Sequence, residues 1–250
     1  MMRKLDIVYI LKEDIDPAEL TYSLRSVEQN FPHRKVWFVA GQPSGLYPDE
    51  RLAHHQTGLT KWARVRSSLL KIVLCDDITD DFYLFNDDFF VMKPWKGEFI
   101  NFTNGTLAER IQTIERKRGH SSNYSRSLMR INVALQMKHY DTISFAVHLP
   151  MLLNKEMLKK FLLEFPEEPM FRSVYGNMNR IPYTFHQDVK IVDFHKEPDP
   201  ECDFLSTSED SFRHGKVGQF IRDRFPNPSR FEKEQSLDVH EHYTEEGDLI

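Results

Sequence analysis

Residues 81–94 read DFYLFNDDFFVMKP, and this stretch is the best guide to the fold. The β-prone apolar run Phe82–Phe85 stops at the polar triplet NDD of residues 86–88, and a second apolar run starts at Phe89. A short apolar run between polar breakers is typical of a buried strand rather than a helix. We therefore predict a central strand that ends just before a pair of carboxylates.

Segments before this strand alternate between strand-like and helix-like patterns. The runs Leu5–Leu11 and Lys35–Ala40 are rich in β-branched and aromatic residues and predict buried strands, and Arg51–His55 predicts a short third strand. Apolar residues recur at helical spacing in residues 16–30 and 61–75, so each segment predicts an amphipathic helix. The alternation predicts an α/β fold with a mainly parallel central sheet flanked by helices.

The second half of the chain carries more helix patterns than strand patterns. Two helices joined by a short link are expected within about 105–140, and we interpret them as a helical insertion. Beyond them the sequence predicts, in order, a helix at Leu152–Phe165, a strand at Val189–Phe194 and a helix at Ser211–Phe225. We expect one α/β domain over residues 1–235 and an acidic, mobile tail at 236–250.

The composition is that of an ordinary globular protein. The chain has 250 residues, of which 40% are hydrophobic and 28% charged, and a formal net charge of −5. Such a chain lacks the basic surface of nonspecific nucleic-acid binders, so no nucleic-acid partner is expected. Its two cysteines are isolated, which argues against a disulfide framework or a zinc site. No apolar run is long enough to cross a bilayer and the amino terminus lacks a signal-peptide pattern, so a cytoplasmic location is expected.

Asp87 and Asp88 are the first candidates for a functional site. They follow the predicted central strand, and open α/β sheets bind ligands at the carboxyl ends of their strands. Adjacent carboxylates suit Mg²⁺ or Mn²⁺, which hold phosphates through hard oxygen ligands. The alternative is an Asx turn between two strands, because Asn and Asp are common turn residues. On the triplet alone, both interpretations stand.

Several other polar positions are candidates. His148 follows an apolar segment and could exchange a proton near neutral pH, whereas a structural histidine is the alternative. Arg172 carries a planar fork that suits two phosphate oxygens, or else it forms a surface ion pair. Arg25 and Ser26 lie on the first predicted helix and face either the ligand edge or solvent. His186 stands near a carboxylate before the predicted late strand, where a plain loop is the alternative.

Signatures of several other enzyme classes are absent from the sequence. It has no GxxxxGK[ST] phosphate loop, no GxGxxG after a strand, no GxSxG elbow and no HExxH motif. Because each motif carries the chemistry of its class, the P-loop NTPase, dinucleotide-binding, α/β-hydrolase and zincin functions lose their usual support.

Taken together, these motifs resemble the Stealth family of sugar-phosphate transferases, which includes bacterial capsule polymerases and the lysosomal-enzyme N-acetylglucosamine-1-phosphotransferase. The family has four blocks in fixed order, and nearly the whole chain can be laid on them. The segments that resemble the blocks are Asp6–Tyr9 for the first; Tyr22–Glu28, Val36–Ala40 and Leu84–Phe90 for the second; His148–Pro150 and Phe171–Ser173 for the third; and Phe225–Glu232, which reads FPNPSRFE, for the fourth. The second block is the most specific match.

Two of the blocks depart from the family pattern. The family continues its first block with a Trp-Val-Asp/Asn-Gly-Ser-Asp run, whereas residues 10–16 of this chain read ILKEDID. The Asn-Asp of the fourth block is replaced near Ser208–Asp210. Both departures concern segments that would contact the nucleotide.

The resemblance implies a Rossmann-like, GT-A type of α/β fold and a defined reaction. A sugar-1-phosphate would move from a nucleotide sugar, expected to be UDP-linked, to a hydroxyl of a glycan or other acceptor, and the nucleoside monophosphate would leave. The resemblance implies catalytic roles for Asp87, Asp88, His148 and Arg172, with Mg²⁺ or Mn²⁺ on the two aspartates. It implies substrate binding by the remaining candidates, which are Asp6, Arg25, Ser26, Asn86 and His186.

Two other functions stay open at this point. A GT-A-type glycosyltransferase would use the same aspartate pair to hold a metal, transfer the sugar alone and release a nucleoside diphosphate. A catalytically inactive module would bind a carbohydrate or nucleotide sugar without turnover, and the altered first block favours it. The sequence leaves the donor sugar, the acceptor and the oligomeric state open.

Overall fold

The computed structural model describes residues 4–96, 101–166, 168, 170–232 and 241–242. Strands and helices are numbered in chain order as β1 (Asp6–Leu11), α1 (Pro17–Asn30), β2 (Val36–Ala40), β3 (Glu50–Leu52), α2 (Lys61–Leu74), β4 (Asp81–Phe85), β5 (Phe89–Val91), β6 (Asn101–Thr103), α3 (Leu107–Arg118), α4 (Asn123–Met137), β7 (Met151–Asn154), α5 (Lys155–Glu164), α6 (Phe171–Met178), β8 (Tyr183–Phe185), β9 (Lys190–Ile191), β10 (Phe204–Thr207), α7 (Glu209–His214), α8 (Lys216–Arg224) and β11 (Glu241–His242).

The main sheet has six strands in the order β11-β3-β2-β1-β4-β7. Strand β1 pairs in parallel with β2 on one side and with β4 on the other, and β7 joins β4 in the antiparallel direction. The predicted α/β class with a mainly parallel central sheet is confirmed. From β1 the chain moves outward through β2 to β3, and then returns through α2 to β4 on the opposite side. The direction of winding therefore reverses between β1 and β4.

The central strands are buried on both faces because helices cover both. Every residue of β2 is buried. Successive side chains of a strand point to opposite faces. Accordingly, Val8 joins a core cluster with Leu69 of α2, whereas Ile7 joins a different cluster with Leu24 of α1. This double burial explains why the strands of the parallel sheet read as continuous apolar runs.

After the NDD triplet the chain leaves the main sheet. Strand β5 enters a second sheet in the order β5-β10-β9. On the other edge of β5, side chains of α1 replace a neighbouring strand. Ser26 Oγ accepts a hydrogen bond from Val91 N (3.0 Å), Asn30 Nδ2 donates to the Val91 carbonyl (2.7 Å), and Ser23 Oγ donates to the Phe89 carbonyl (2.6 Å). These bonds fix the triplet between the two sheets.

The predicted helical insertion corresponds to α3 and α4. Each helix begins with a capping box, formed by Thr106 with Glu109 for α3 and by Ser122 with Ser125 for α4. A capping box satisfies backbone donors that the first helical turn leaves free, which explains where both helices start. None of the helices in the described part of the chain combines the length and apolarity that a bilayer crossing requires.

Several predicted boundaries in the second half were wrong. The segment predicted as the start of a helix at residue 152 forms strand β7, and α5 begins only at Lys155 because the Asn154 side chain caps it. The predicted late strand is confined to the two residues of β9, and β10 was not predicted. Pairing with β5 stabilises β10, and this long-range contact leaves no local pattern in the sequence.

The predicted helix at residues 211–225 is divided into α7 and α8. The division lies at Gly215, which ends one helix and starts the next. The two helices approach closely at Gly218, where an added Cβ would lie 1.7 Å from the Phe212 carbonyl oxygen. The predicted mobile tail at 236–250 lies outside the described residues except for β11, whose backbone pairs in parallel with β3.

Candidate functional site

The turn after β4 holds the aspartate pair. Phe89 donates its backbone N–H to the Asn86 carbonyl (3.3 Å), and the Asn86 side chain is exposed. Both interpretations of the triplet therefore apply. It is a turn between two strands, and it also presents carboxylates at the carboxyl end of a parallel strand.

Asp88 is buried, with 8% of its surface exposed. Its Oδ2 accepts hydrogen bonds from Lys190 Nζ (2.9 Å) and from Ser206 Oγ (3.0 Å). Its Oδ1 is also buried, but it has no hydrogen-bond partner within the described residues. An unpaired buried carboxylate oxygen is costly. A ligand group that offers a proton or positive charge would therefore be stabilised at Oδ1.

Asp87 lies on a cleft of about 260 Å³ that opens where β1 and β4 end. Burial and the charge of Asp88 raise the pKa of Asp87 above its ordinary value. The cleft is lined by Lys12, Asp14, Ile15, Asp16, Ala18, Glu19, Asp87, Glu209, Phe212 and Arg213. Because the winding direction reverses between β1 and β4, this is the position where open α/β sheets bind ligands.

Glu19, in the first turn of α1, faces the same cleft. Its pKa is raised to about 7, because burial and the charges of Asp88 and Asp87 outweigh the hydrogen bond from Thr207 and the charge of Lys190, which lower it. The Thr207 Oγ1 donates to Glu19 Oε1 at 2.5 Å. A carboxyl group that titrates near neutral pH is suited to acid–base chemistry. Sequence analysis missed Glu19; the available signal was its place in the first helical turn after β1.

Lys190, Ser206 and Thr207 were also missed. Lys190 and Ser206 reach Asp88, and Thr207 reaches Glu19, from β9 and β10, which the second sheet brings beside the turn. One signal for Lys190 was available in the sequence DVK of residues 188–190. Alternate residues of an extended segment point to the same side, so Asp188 and Lys190 belong together. No local signal identifies the two hydroxyl residues.

The carboxylates fit a divalent cation that arrives with a substrate. Across the described ranges, no group of three or more His, Cys, Asp or Glu side chains is arranged to hold a metal by itself. Mg²⁺, however, is usually held by one or two carboxylates together with substrate phosphates and water. Asp87 and the unpaired Oδ1 of Asp88 supply two such oxygens. Burial first and then the charge of Asp88 raise the pKa of Asp87, and a bound cation would favour its ionised form.

His148 forms a pair with Asp188. Its Nδ1 lies 2.8 Å from Asp188 Oδ1, and its backbone N–H donates to the same oxygen at 3.3 Å. On the other side of the carboxylate, Arg110 Nη2 lies 3.3 Å from Oδ2. Burial alone would raise the pKa of Asp188, but the bonds from His148 and the charge of Arg110 bring it below its ordinary value. Asp188 is therefore ionised at neutral pH.

Arg172 connects the histidine segment with the aspartate turn. Its Nη1 donates to the carbonyls of Val147 (3.0 Å) and Leu149 (2.7 Å), which flank the histidine. The guanidinium lies over the Phe89 ring, 5.5 Å from its centroid. Burial lowers the pKa of Arg172 to about 10, against the charge of Asp88, so the side chain stays protonated at neutral pH. Its Nη2 is buried without a partner in the described structure and could donate to a ligand.

Asp6 does not line the cleft, so the structure gives its predicted role in substrate binding no support. It lies at the amino end of β1, whereas Asp87 follows the carboxyl end of β4, and it is completely buried. Its carboxylate accepts hydrogen bonds from Arg34 Nε (2.8 Å) and Nη2 (2.6 Å), from the Trp37 indole (3.1 Å) and from the Thr79 backbone (3.0 Å). These bonds join β1, the β2 region and the loop before β4 at the amino ends of the parallel strands.

Arg25 and Ser26 also make contacts within the fold, and these contacts give no support to their predicted contact with substrate. Arg25 donates to both oxygens of Glu232 and to the Phe225 carbonyl. Ser26 is completely buried and bonds the backbone of β5. Neither side chain lines the cleft described above.

His186 lies outside the 260 Å³ cleft. Its Nδ1 is 2.7 Å from the Gln187 carbonyl oxygen, and its ring packs edge-on against Phe102 at 5.3 Å. Together with Asp188 it lines a second cleft of about 500 Å³. The structure therefore separates His186 from the aspartate pair, whereas Asn86 remains beside it.

Comparisons with known proteins concern the backbone. No protein-family model matches the chain, and no curated protein matches it. Among solved structures, it is similar to the galactosyltransferase LgtC in complex with donor and acceptor sugar analogues, with a TM-score of 0.49 and 11% identity over 90% of this chain and 98% of that chain. An active-site mutant of LgtC gives a TM-score of 0.48 at 11% identity over the same shares. The glycosyltransferase GlyE of Streptococcus pneumoniae TIGR4 gives 0.39 at 10% identity, over 74% of this chain and 45% of that chain.

Proposed function

We propose that the 260 Å³ cleft binds a nucleotide sugar, expected to be UDP-linked, and that the protein transfers the sugar-1-phosphate to a hydroxyl of a glycan or other acceptor. The acceptor oxygen forms a bond to the phosphorus that carries the sugar. The bond from that phosphorus to the bridging oxygen breaks, and the nucleoside monophosphate leaves. The hydroxyl proton passes to a base of the protein.

The observation that carries this proposal is the placement of Asp87 and Glu19 in one cleft at the point where the winding of the sheet reverses. Asp88 is close enough to raise the pKa of Glu19. The combination offers ligands for a cation and a group that exchanges protons near neutral pH, at the edge where such sheets bind ligands. A nucleotide diphosphate is a ligand that uses both.

Contacts between the segments that resemble the Stealth blocks support the assignment to sugar-phosphate transfer. Arg25 of the second block binds Glu232 of the fourth. Arg172 of the third block binds the carbonyls on either side of the third-block histidine and lies over Phe89 of the second. The third-block segment thus meets the second-block segment beside the aspartate turn, as expected if the two form one site, whereas the Arg25–Glu232 pair holds the fourth block on α1.

A divalent cation would be held by Asp87 and by Oδ1 of Asp88. When bound, it would neutralise part of the negative charge of the diphosphate. The residues of the protein perform the remaining tasks. The unpaired Nη2 of Arg172 would donate to an oxygen of the transferred phosphate, and the loss of one such donor typically costs about 10²–10³ in rate.

Two groups would handle the protons of the reaction. His148, with the ionised Asp188 on its Nδ1, is suited to accept the proton of the acceptor hydroxyl. Glu19 lies in the cleft assigned to the donor, and its pKa of about 7 leaves much of it protonated at neutral pH. It would donate a hydrogen bond, or its proton, to the departing nucleotide phosphate.

Calorimetric titration with UDP- and CDP-sugars, with and without Mg²⁺ or Mn²⁺, tests the donor site. We expect metal-dependent binding that Asp87→Ala abolishes. The control is Asp76→Ala, which removes an exposed carboxylate from the loop before β4 and should bind as the wild type does. Binding that Asp87→Ala leaves unchanged would overturn the assignment of the donor to this cleft.

The identity of the released nucleotide tests the reaction. Incubation with the donor and a panel of mono- and oligosaccharide acceptors is followed by separation of the nucleotides. Release of the nucleoside monophosphate, with a sugar phosphate on the acceptor, supports the proposal. Release of the diphosphate would mean glycosyl transfer, and tight donor binding without any product would indicate a binding module.

A further inference from the structure

The surroundings of His148 go beyond a simple pair of side chains. Asp188 contacts the histidine three times, through Nδ1 to Oδ1 (2.8 Å), through Nδ1 to Oδ2 (3.1 Å) and through the backbone N–H to Oδ1 (3.3 Å). One carboxylate therefore restrains both the ring and the backbone that carries it. About a third of the His148 side chain (34%) stays exposed, so the ring is accessible.

The carboxylate of Asp188 is itself restrained by the helical insertion. Arg110 of α3 places Nη2 3.3 Å from Asp188 Oδ2. Tyr124 of α4 lies close to both Arg110 and Asp188. Lys190 lies two residues further along the chain; its backbone N–H donates to Asp188 Oδ1 (3.4 Å), whereas its side chain binds Asp88. The charged and titratable groups around the pair thus come from three different parts of the fold.

The chain of contacts has a chemical consequence. A neutral imidazole carries one proton, and a carboxylate beside Nδ1 requires that proton to be on Nδ1. Nε2 is then the nitrogen that can accept a proton, and the carboxylate stabilises the imidazolium that forms. Without Arg110, the carboxylate would keep only its contacts with His148 and with the Lys190 backbone N–H (3.4 Å), and the orientation of the ring would be less strictly fixed.

We propose that Asp188 and Arg110 are positioning residues for His148, so that the helical insertion helps to build the active site. This inference rests on the proposed function for the role of His148 in turnover. The contacts themselves do not depend on that function. The helical insertion thus contributes to the site through Arg110.

The first test is the tautomer of the His148 ring, measured by ¹⁵N NMR of the two ring nitrogens in the full chain. We expect a proton on Nδ1 in the wild type and a shift toward the other tautomer in Asp188→Asn. The control is Asp193→Asn, because Asp193 is an exposed carboxylate nearby whose Oδ1 bonds only the local backbone of His195 in the described contacts. A wild-type ring protonated on Nε2, or one unchanged by Asp188→Asn, would overturn the proposal.

The second test is kinetic. Asp188→Asn should lower kcat by about 10²–10⁴-fold with little change in the KM of the donor, which is the effect expected when a base loses its orienting carboxylate. Arg110→Met should have a smaller effect of the same kind, and Asp188→Glu should recover part of the rate. Equal losses in Asp188→Glu and Asp188→Asn, or a change in KM alone, would contradict a positioning role.

The two tests separate this inference from the proposed function. A wild type that releases no nucleoside monophosphate would contradict the reaction, yet the NMR measurement would still decide whether Asp188 fixes the ring. If Asp188→Asn does not fold, the tautomer is measured in Arg110→Met. There we expect a mixed population of tautomers, and an unchanged ring would contradict the role of Arg110.

Discussion

The carboxylate of Glu232 lies against the guanidinium of Arg25, with Oε1 2.8 Å from Nε and Oε2 2.5 Å from Nη2. Both side chains are largely buried, at 12% and 16% exposed. The pair joins α1 to Phe225–Glu232, the segment that follows α8. A residue predicted to bind substrate thus holds this segment on the first helix.

Removal of Arg25 should therefore affect stability rather than binding. Breaking a buried ion pair on one side leaves an unpaired charge, so we expect Arg25→Met to lower the free energy of unfolding by about 3 kcal/mol. Urea denaturation measures this loss, and Glu156→Gln, an exposed carboxylate change, is the control. Donor binding by folded Arg25→Met should equal that of the wild type. Weaker binding would restore the substrate role that the sequence suggested.

Removal of Asp6, at the amino end of β1, should likewise affect stability rather than binding. Its carboxylate is completely buried and neutralises Arg34 while it accepts bonds from Trp37 and Thr79. We expect Asp6→Ala to lower the free energy of unfolding by about 3–5 kcal/mol, because Arg34 and the other donors lose their partner. Chemical denaturation followed by tryptophan fluorescence is a direct measurement. A loss below about 1 kcal/mol would show that water replaces the carboxylate.

The positions of Arg25 and Asp6 show which features of the site cannot be predicted from the sequence. The run Phe82–Phe85 followed by two aspartates was enough to predict a strand with carboxylates at its carboxyl end, because both features are local. The two ends of β1, at Asp6 and Leu11, cannot be distinguished functionally until the pairing of the strand in the sheet is known. Because β1 pairs in parallel with β4, the amino end of β1 lies at the end of the sheet away from Asp87.

Long-range contacts account for the remaining omissions. The alternation of strands and helices predicted the main sheet, because each buried strand is a continuous apolar run. Strand β10 is four residues long and is stabilised by pairing with β5 and β9, so no local sequence pattern predicts it. The hydroxyls of Ser206 and Thr207 reach Asp88 and Glu19 only by way of that pairing.

Glu19 predicts a specific dependence of stability on pH. Its pKa is about 7 in the folded protein, above the ordinary value of 4.5. A group whose pKa rises on folding stabilises the fold fully below its unfolded pKa, and this contribution is lost as pH rises through the folded pKa. Wild-type stability should therefore decline between about pH 4.5 and pH 7 by an amount that Glu19→Gln lacks. Thermal melts of the metal-free proteins at pH 4, 6 and 8 measure the difference.

Thr207 provides a matched variant for the same titration. Its hydroxyl lowers the pKa of Glu19 through the 2.5 Å hydrogen bond, so Thr207→Val should raise that pKa. The substitution keeps the shape of a buried side chain. We expect ¹³C NMR of the Glu19 carboxyl to show a higher midpoint in Thr207→Val than in the wild type. An equal or lower midpoint would show that the hydroxyl does not stabilise the ionised form.

Lys190 and Asp88 should be coupled energetically. Lys190→Met removes the cation 2.9 Å from Oδ2 of a carboxylate that is 8% exposed, and the carboxylate is then left with the Ser206 hydroxyl. We expect a loss of about 3 kcal/mol or more in the free energy of unfolding, because a buried charge without its counter-charge is strongly destabilising. The double variant Asp88→Asn with Lys190→Met removes both charges, so it should recover a large part of that loss. A double-mutant cycle by urea denaturation measures the coupling. Additive losses would mean that the two charges stabilise the fold independently, and that Lys190 is free to contact a ligand instead.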